Sequence, residues 1–165
     1  MIALLRAAGL GAGALLVWMV IASQVPSHVR LPMGAVVPGA RVSQPFGCTS
    51  LELEPFDPFC PGRHVHTGVD LAAPIGSAVH SATAGTAHVG FDPEGAGRYV
   101  LVTAAAHVRV FYGHLSVIGV AEGQAVSAGQ VIGEVGATGR ATGAHVHFEV
   151  QVDGRSVDPE AWLAS

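Results

Sequence analysis

The pattern of apolar and polar positions divides the chain. Residues 7–22, AAGLGAGALLVWMVIA, form an unbroken apolar run, with Arg6 before it and no further charge until Arg30. As a helix this run would be about 24 Å long, slightly short of a hydrocarbon core of roughly 30 Å. It reads as a membrane-targeting helix within residues 1–25. Either it is a cleaved signal peptide, with Val20 and Ala22 as the small residues before the cut, or it is a retained transmembrane anchor. Residues 26–39 hold three prolines and little periodicity, and read as a linker. From residue 40 the period becomes that of strands, in short runs rich in β-branched and aromatic residues and cut by glycine or proline. Strands are predicted at Arg41–Phe46, Gly68–Leu71, Ala78–Ser81, Thr86–Phe91, Tyr99–Thr103, His107–Gly113, Val131–Gly136 and His145–Val152. One short helix is expected in VDPEAWLA, with Asp158 as N-cap and Pro159 at its first position. Residues 40–165 are therefore expected to form one all-β domain, a sandwich or a barrel.

Composition narrows the partners. Charged residues make up 12% of the chain, the net charge is −4, and all eight basic residues are arginines. They do not cluster, so no nucleic acid partner is expected. The lack of lysine also removes a rival. AEGQAVSAGQVIGEVG, residues 121–136, looks like the half-motif of biotinyl and lipoyl carrier domains, which present a modified lysine. A single arginine ahead of the apolar run directs the remainder of the chain out of the cytoplasm. There Cys48 and Cys60 can pair around TSLELEPFDPF, for a stabilisation on the order of 3 kcal/mol. Their C-x11-C spacing is too wide for a zinc knuckle.

The candidate chemistry lies in three stretches. In GAHVHFEVQV, residues 143–152, strand alternation puts Val146, Phe148, Val150 and Val152 on one face and His145, His147, Glu149 and Gln151 on the other. Two imidazoles about 6.6 Å apart along a half-buried strand suit a metal centre. HTGVD supplies His66 and Asp70, which on a straight strand would share a face about 13 Å apart. One ion reaches both only if the chain bends, and Gly68 permits a bend. His66, Asp70 and one of the two strand histidines then give two imidazoles and a carboxylate, with a fourth position for water. That is the ligand count of a catalytic zinc site. FYGHLS adds His114, so two imidazoles remain free to move a proton or to stabilise an oxyanion. No H-E-x-x-H is present, so histidine rather than glutamate would do that work.

In order along the chain, RVSQPFG, HTGVDLAAPIGSAVHSATAGT, FYGHLS, GQAVSAGQVIGEVGATGRATGAHVHFEV and VDPEAWL resemble the lysostaphin-type metallo-endopeptidases, the LytM-like domain family. The resemblance covers nearly all of the chain after residue 40. It implies an antiparallel two-sheet sandwich, or barrel-sandwich hybrid, around a narrow groove. It implies one zinc ion per chain on His66, Asp70 and His147, with His114 and His145 as the catalytic pair. The implied activity is zinc-dependent endopeptidase action on peptidoglycan peptides, at a cross-link or a cross-bridge. The protein would act outside the cytoplasm, secreted or held at the membrane by its N-terminal helix. The alternative is a non-catalytic or occluded member that binds the wall or activates another hydrolase, with residues 49–59 as the occluding segment. Members often carry GYGN where this chain has GAGR, residues 95–98, and some place a tyrosine where it has CPGRHV. Both departures concern the groove rather than the five site residues.

The remaining histidines, His28, His64, His80, His88 and His107, match no ligand position, although His64 is near enough to His66 to line the groove. Glu149 shares the histidine face and is expected to be a solvated strand residue. Arg63, Arg98 and Arg140 are expected to be surface charges within reach of a substrate carboxylate.

Overall fold

The computed structural model describes residues 30–104 and 107–165. The apolar run 7–22, with its signal and anchor alternatives, lies outside them. Among the described residues no helix is long and apolar enough to cross a membrane. In chain order the strands are β1 (Arg41–Gln44), β2 (Gly47–Thr49), β3 (His64–His66), β4 (Val69–Ala72), β5 (Ala78–His80), β6 (Gly85–Asp92) and β7 (Gly97–Thr103). They continue with β8 (Val108–Leu115), β9 (Val117–Ile118), β10 (Ala125–Val126), β11 (Val131–Glu134), β12 (His145–Val152) and β13 (Arg155–Val157). Helix α1 (Met33–Val36) precedes them and α2 (Pro159–Ala164) follows.

The large antiparallel sheet runs β1-β4-β12-β8-β7-β6-β10, with β13 pairing the second half of β12. β5, β11 and β9 form a second sheet, and β2 pairs only with β3. The apolar sides of the two larger sheets meet in one core, where Val79 and Ile132 of the smaller sheet join Val100, Val110 and Phe148 of the larger. Alternation along β12 sets the geometry of everything that follows. Val146, Phe148 and Val150 are fully buried in that core, so His145, His147 and Glu149 must point to the opposite face.

The longer predicted strands are present, and the departures have local causes. The run Arg41–Phe46 stops at Gln44, because Pro45 has no N–H to donate, and the chain restarts as β2 with Gly47 at φ +113°. β3, β9, β10 and β13 have two or three residues each, too few to display an alternation. α2 matches expectation, with Asp158 accepting from the Glu160 N–H at 2.9 Å and Pro159 opening the helix. The stretch 30–37, expected to be linker, packs on the domain instead. Val36 and Val37 are completely buried, Leu31 N–H donates to the Ala82 carbonyl, and the Arg30 guanidinium lies 4.2 Å from the Trp162 ring. Each buried valine contributes about 1.5–3 kcal/mol. One helical turn between two prolines is too short to show a period. Cys48 and Cys60 are disulfide-bonded, pinning both ends of the loop 49–59.

Candidate active site

Asp70 on β4 and His147 on β12 are direct cross-strand partners, so their side chains leave the sheet on the same face. His66 comes from outside that sheet, at the end of β3. The chain turns through Thr67 and Gly68 before entering β4, and this turn replaces the straight-strand separation with contact. Gly68 is not in the left-handed region, so its role is space rather than conformational freedom. A Cβ there would lie 2.5 Å from the Phe148 carbonyl oxygen and 3.0 Å from the His147 ring.

Three donor atoms converge at this point. His66 Nε2 lies 3.2 Å from Asp70 Oδ1 and 3.1 Å from His147 Nδ1, and His147 Nδ1 lies 3.2 Å from Asp70 Oδ1. Bonds of about 2.0–2.1 Å at tetrahedral angles would place ligands roughly 3.3 Å apart. The triangle fits a zinc ion without rearrangement of the ligand-bearing strands, and among the described residues these three form the group that could hold one. The far ring nitrogens support the same arrangement. His66 Nδ1–H donates to the Pro45 carbonyl at 2.9 Å, which leaves the Nε2 lone pair facing the site. His147 Nε2 faces Glu149 Oε2 at 3.6 Å, a charge contact longer than a hydrogen bond.

The electrostatics follow from this crowding. Burial opposes ionisation of Asp70, but the His147 and His66 rings beside it outweigh this and hold the carboxyl well below the usual range. Burial also opposes charge on His147, yet Asp70 and Glu149 beside it raise its pKa to about 9. Three lone pairs aimed at one point call for a proton or a cation between them.

His114 and His145 stand beside this triangle, with ring centroids 4.7 Å apart. His114 occupies a β-bulge, where two residues of β8 face one of β7, and its backbone is in the left-handed region at φ +62°. Such a bulge re-aims a side chain at a cost of order 1–3 kcal/mol for a non-glycine residue. The His114 N–H donates to Ala96 O at 2.7 Å and its Nδ1–H to Thr138 O at 2.9 Å. His145 Nδ1–H likewise donates to Gly143 O at 2.9 Å. Carbonyl oxygens only accept, so both rings carry a proton on Nδ1, and Nε2 is the nitrogen left to exchange a proton. His145 Nε2 lies 3.7 Å from Asp70 Oδ1. Burial lowers the His114 pKa below its ordinary value, despite its bond to the Thr138 carbonyl.

Asp70, His114, His145 and His147 open on one groove of about 310 Å³, while His66 is fully buried behind them. Leu51 and Leu53 of the disulfide-closed loop line it, as do Phe111, Glu94 and Arg140. Gln44 donates to Glu54 Oε1 at 3.1 Å, and His64 Nδ1–H donates to Glu54 O at 2.7 Å. His64 therefore holds the loop and is not part of the groove wall. Arg63 and Arg98 lie over the rings of Phe56 and Phe91. His88 pairs with Glu122 at the surface, and His28 lies outside the described residues. Glu149 departs from expectation: it is not solvated. Its side chain is 12% exposed and accepts from Thr67, Gln151 and Ser156. Burial works against its charge, but His147 and these donors bring its pKa down to about 2.

The sequence profile of Peptidase family M23 matches residues 64–159, from β3 to the start of α2, a stretch holding all five residues. The chain belongs to peptidase family M23. Among M23 relatives, the peptidoglycan DD-endopeptidase ShyB of Vibrio cholerae is 45% identical over 98 residues, which are 59% of this chain and 23% of that one. The chain spans about a quarter of the length of the curated relatives it matches. Of solved structures, a zinc containing peptidase from Vibrio cholerae aligns with TM-score 0.65 and 34% identity, covering 79% of this chain and 40% of that one. The catalytic domain of the antimicrobial peptidase lysostaphin from Staphylococcus simulans aligns with TM-score 0.63 and 30% identity, covering 76% of this chain and 93% of that one. The mostly antiparallel β architecture is thus the M23 fold.

Proposed function

We propose that this M23 domain is a zinc-dependent endopeptidase that hydrolyses peptide bonds in bacterial cell-wall peptidoglycan. The reading rests above all on the convergence of His66 Nε2, Asp70 Oδ1 and His147 Nδ1 within 3.1–3.2 Å, beside two imidazoles whose Nδ1–H groups are held by backbone carbonyls. It is also supported by the name of the relative ShyB. His66, Asp70 and His147 would hold one zinc ion, with Asp70 as the single negative charge of the set. Zinc there would act as a Lewis acid and lower the pKa of a bound water from 15.7 to about 7.

His114 and His145 do the proton work. Each is fixed through Nδ1–H to a backbone carbonyl, so each can accept a proton at Nε2 only. A proton taken there is later returned to the leaving amine, and in its protonated state the same group donates to an oxyanion. A lowered pKa keeps His114 neutral, and so an acceptor, at neutral pH. Leu51, Leu53 and Phe111 give the groove an apolar wall, and Arg140 on the same groove would be available to a carboxylate of the stem peptide. The domain acts outside the cytoplasm, carried there or held at the membrane by residues 1–25.

The test is peptidoglycan solubilisation by the zinc-loaded protein, after chelation, and after zinc is restored. Activity that disappears with chelation and returns with zinc is expected. Full activity in chelator, or none in the zinc-loaded protein, would overturn the reading. The second outcome favours a non-catalytic wall-binding or regulatory member. The feature behind that alternative is the loop 49–59, which puts Leu51 and Leu53 into the groove.

A further inference from the structure

We infer that Glu149 is a positioning residue for the metal-binding triangle, fixing the His147 ring so that Nδ1, not Nε2, is presented to His66 and Asp70. The inference rests on the reading of His66, Asp70 and His147 as zinc ligands.

Glu149 lies two residues beyond His147 on the same face of β12, and its Oε2 is the charged atom beside the far ring nitrogen, at 3.6 Å. The carboxylate is itself held from three directions. Thr67 Oγ1 donates to Oε2 at 3.0 Å, and Gln151 Nε2 and Ser156 Oγ each donate to Oε1 at 2.7 Å. These donors come from the turn after His66, from β12 itself, and from β13. A side chain so held has lost its rotamer freedom, as a residue that orients another must.

The charge is the informative feature. Three neutral donors could be answered by a neutral amide acceptor, and burying a carboxylate with neutral partners alone is unfavourable. Among the described residues the only cationic or N–H-bearing ring within 4 Å of Glu149 is that of His147. Asp70 Oδ1 faces Nδ1 at 3.2 Å, so with a metal ion on that side the ring keeps its one proton on Nε2, where the Glu149 carboxylate meets it. The Thr67 bond adds a second effect. Thr67 follows His66 directly, so Glu149 ties the turn that carries one imidazole to the strand that carries the other. The 3.1 Å spacing of His66 Nε2 and His147 Nδ1 is set in part through this tie.

The deciding experiment compares the full chain with a Glu149→Gln variant, measuring zinc affinity by competition with a chromophoric chelator. Loss of the carboxylate should weaken zinc binding about 10- to 100-fold. Affinity within about twofold of wild type would overturn the inference, as would a fall in kcat at saturating zinc with affinity unchanged, which would make Glu149 a general base instead. If Glu149→Gln does not fold, Thr67→Val and Ser156→Ala each remove one support of the carboxylate. Both should weaken zinc binding, and unchanged affinity in both overturns the inference. A readout independent of any variant is the ring-nitrogen NMR spectrum of His147 in the zinc-loaded wild type. A proton on Nε2 is expected, and a proton on Nδ1 overturns the inference. Wild type that binds no zinc would overturn this inference together with the functional reading. Wild type and Glu149→Gln binding zinc equally would overturn this inference alone.

Discussion

Gly68 decides whether His66 and His147 can meet. A methyl group there collides with a strand carbonyl at 2.5 Å and presses on the His147 ring at 3.0 Å. Gly68→Ala should therefore lower stability by about 1–3 kcal/mol in urea unfolding and weaken zinc binding, because β12 must move away from the turn. An unaltered midpoint and unaltered zinc affinity would show that the turn can yield. His147 supplies a second prediction. Its pKa is raised from 6.5 to about 9 in the metal-free protein, so its stabilising contribution is complete below pH 6.5 and is lost as pH rises through 9. Asp70 has the opposite sign: its contribution is present above its ordinary 3.8 and is lost as pH falls through its lowered value. Zinc must displace the His147 proton. Between pH 6.5 and 9, calorimetry in buffers of different ionisation enthalpy should find release of about one proton per zinc bound. Zinc affinity that does not change with pH over that window would mean His147 is neutral before binding. At this scale the sequence is legible only in part. The period-two alternation of β12 places His145 and His147 on one face, but which of them belongs with Asp70 is set by the β4–β12 register. Glu149 was illegible for a similar reason, since Thr67 and Ser156 reach it from other elements.

The elements divide into those that position the site and those that wall it. β4, β8 and β12 are adjacent in one sheet, so four of the five residues are placed by the register of neighbouring strands. His66 is placed by the short β2–β3 ribbon, whose loop is closed by Cys48–Cys60. The disulfide therefore serves the groove as well as stability. Replacing both cysteines by serine should cost about 2–4 kcal/mol in denaturant unfolding. It should also raise KM for peptide substrates more than it lowers kcat, since Leu51 and Leu53 line the groove and carry no proton-moving group. A kcat that rises in this variant would instead identify the loop as an occluding segment. Elements with several turns of alternation were readable, and α1 was not. Four helical residues carry no period, so the burial of Val36 and Val37 emerges only when the chain is packed.

At the scale of the whole molecule, an acidic, lysine-free chain with a net charge of −4 presents a groove lined by Asp70, His114, His145 and His147, with His66 buried behind it. The M23 fold supplies that groove by stacking a small sheet on a large one and leaving one face of the large sheet to the site. The order of motifs along the sequence was enough to expect this architecture. The loop that narrows the groove and the packing of residues 30–37 needed the three-dimensional arrangement. Whether this constellation cuts peptide bonds is decided by mass spectrometry of purified peptidoglycan digested with the zinc-loaded protein, beside a His145→Ala variant. New peptide amino termini with intact glycan strands are expected in the wild-type digest, and none in the His145→Ala digest. Glycan cleavage, no new termini from zinc-loaded wild type, or equal cleavage by the variant would refute peptide-bond hydrolysis at this site.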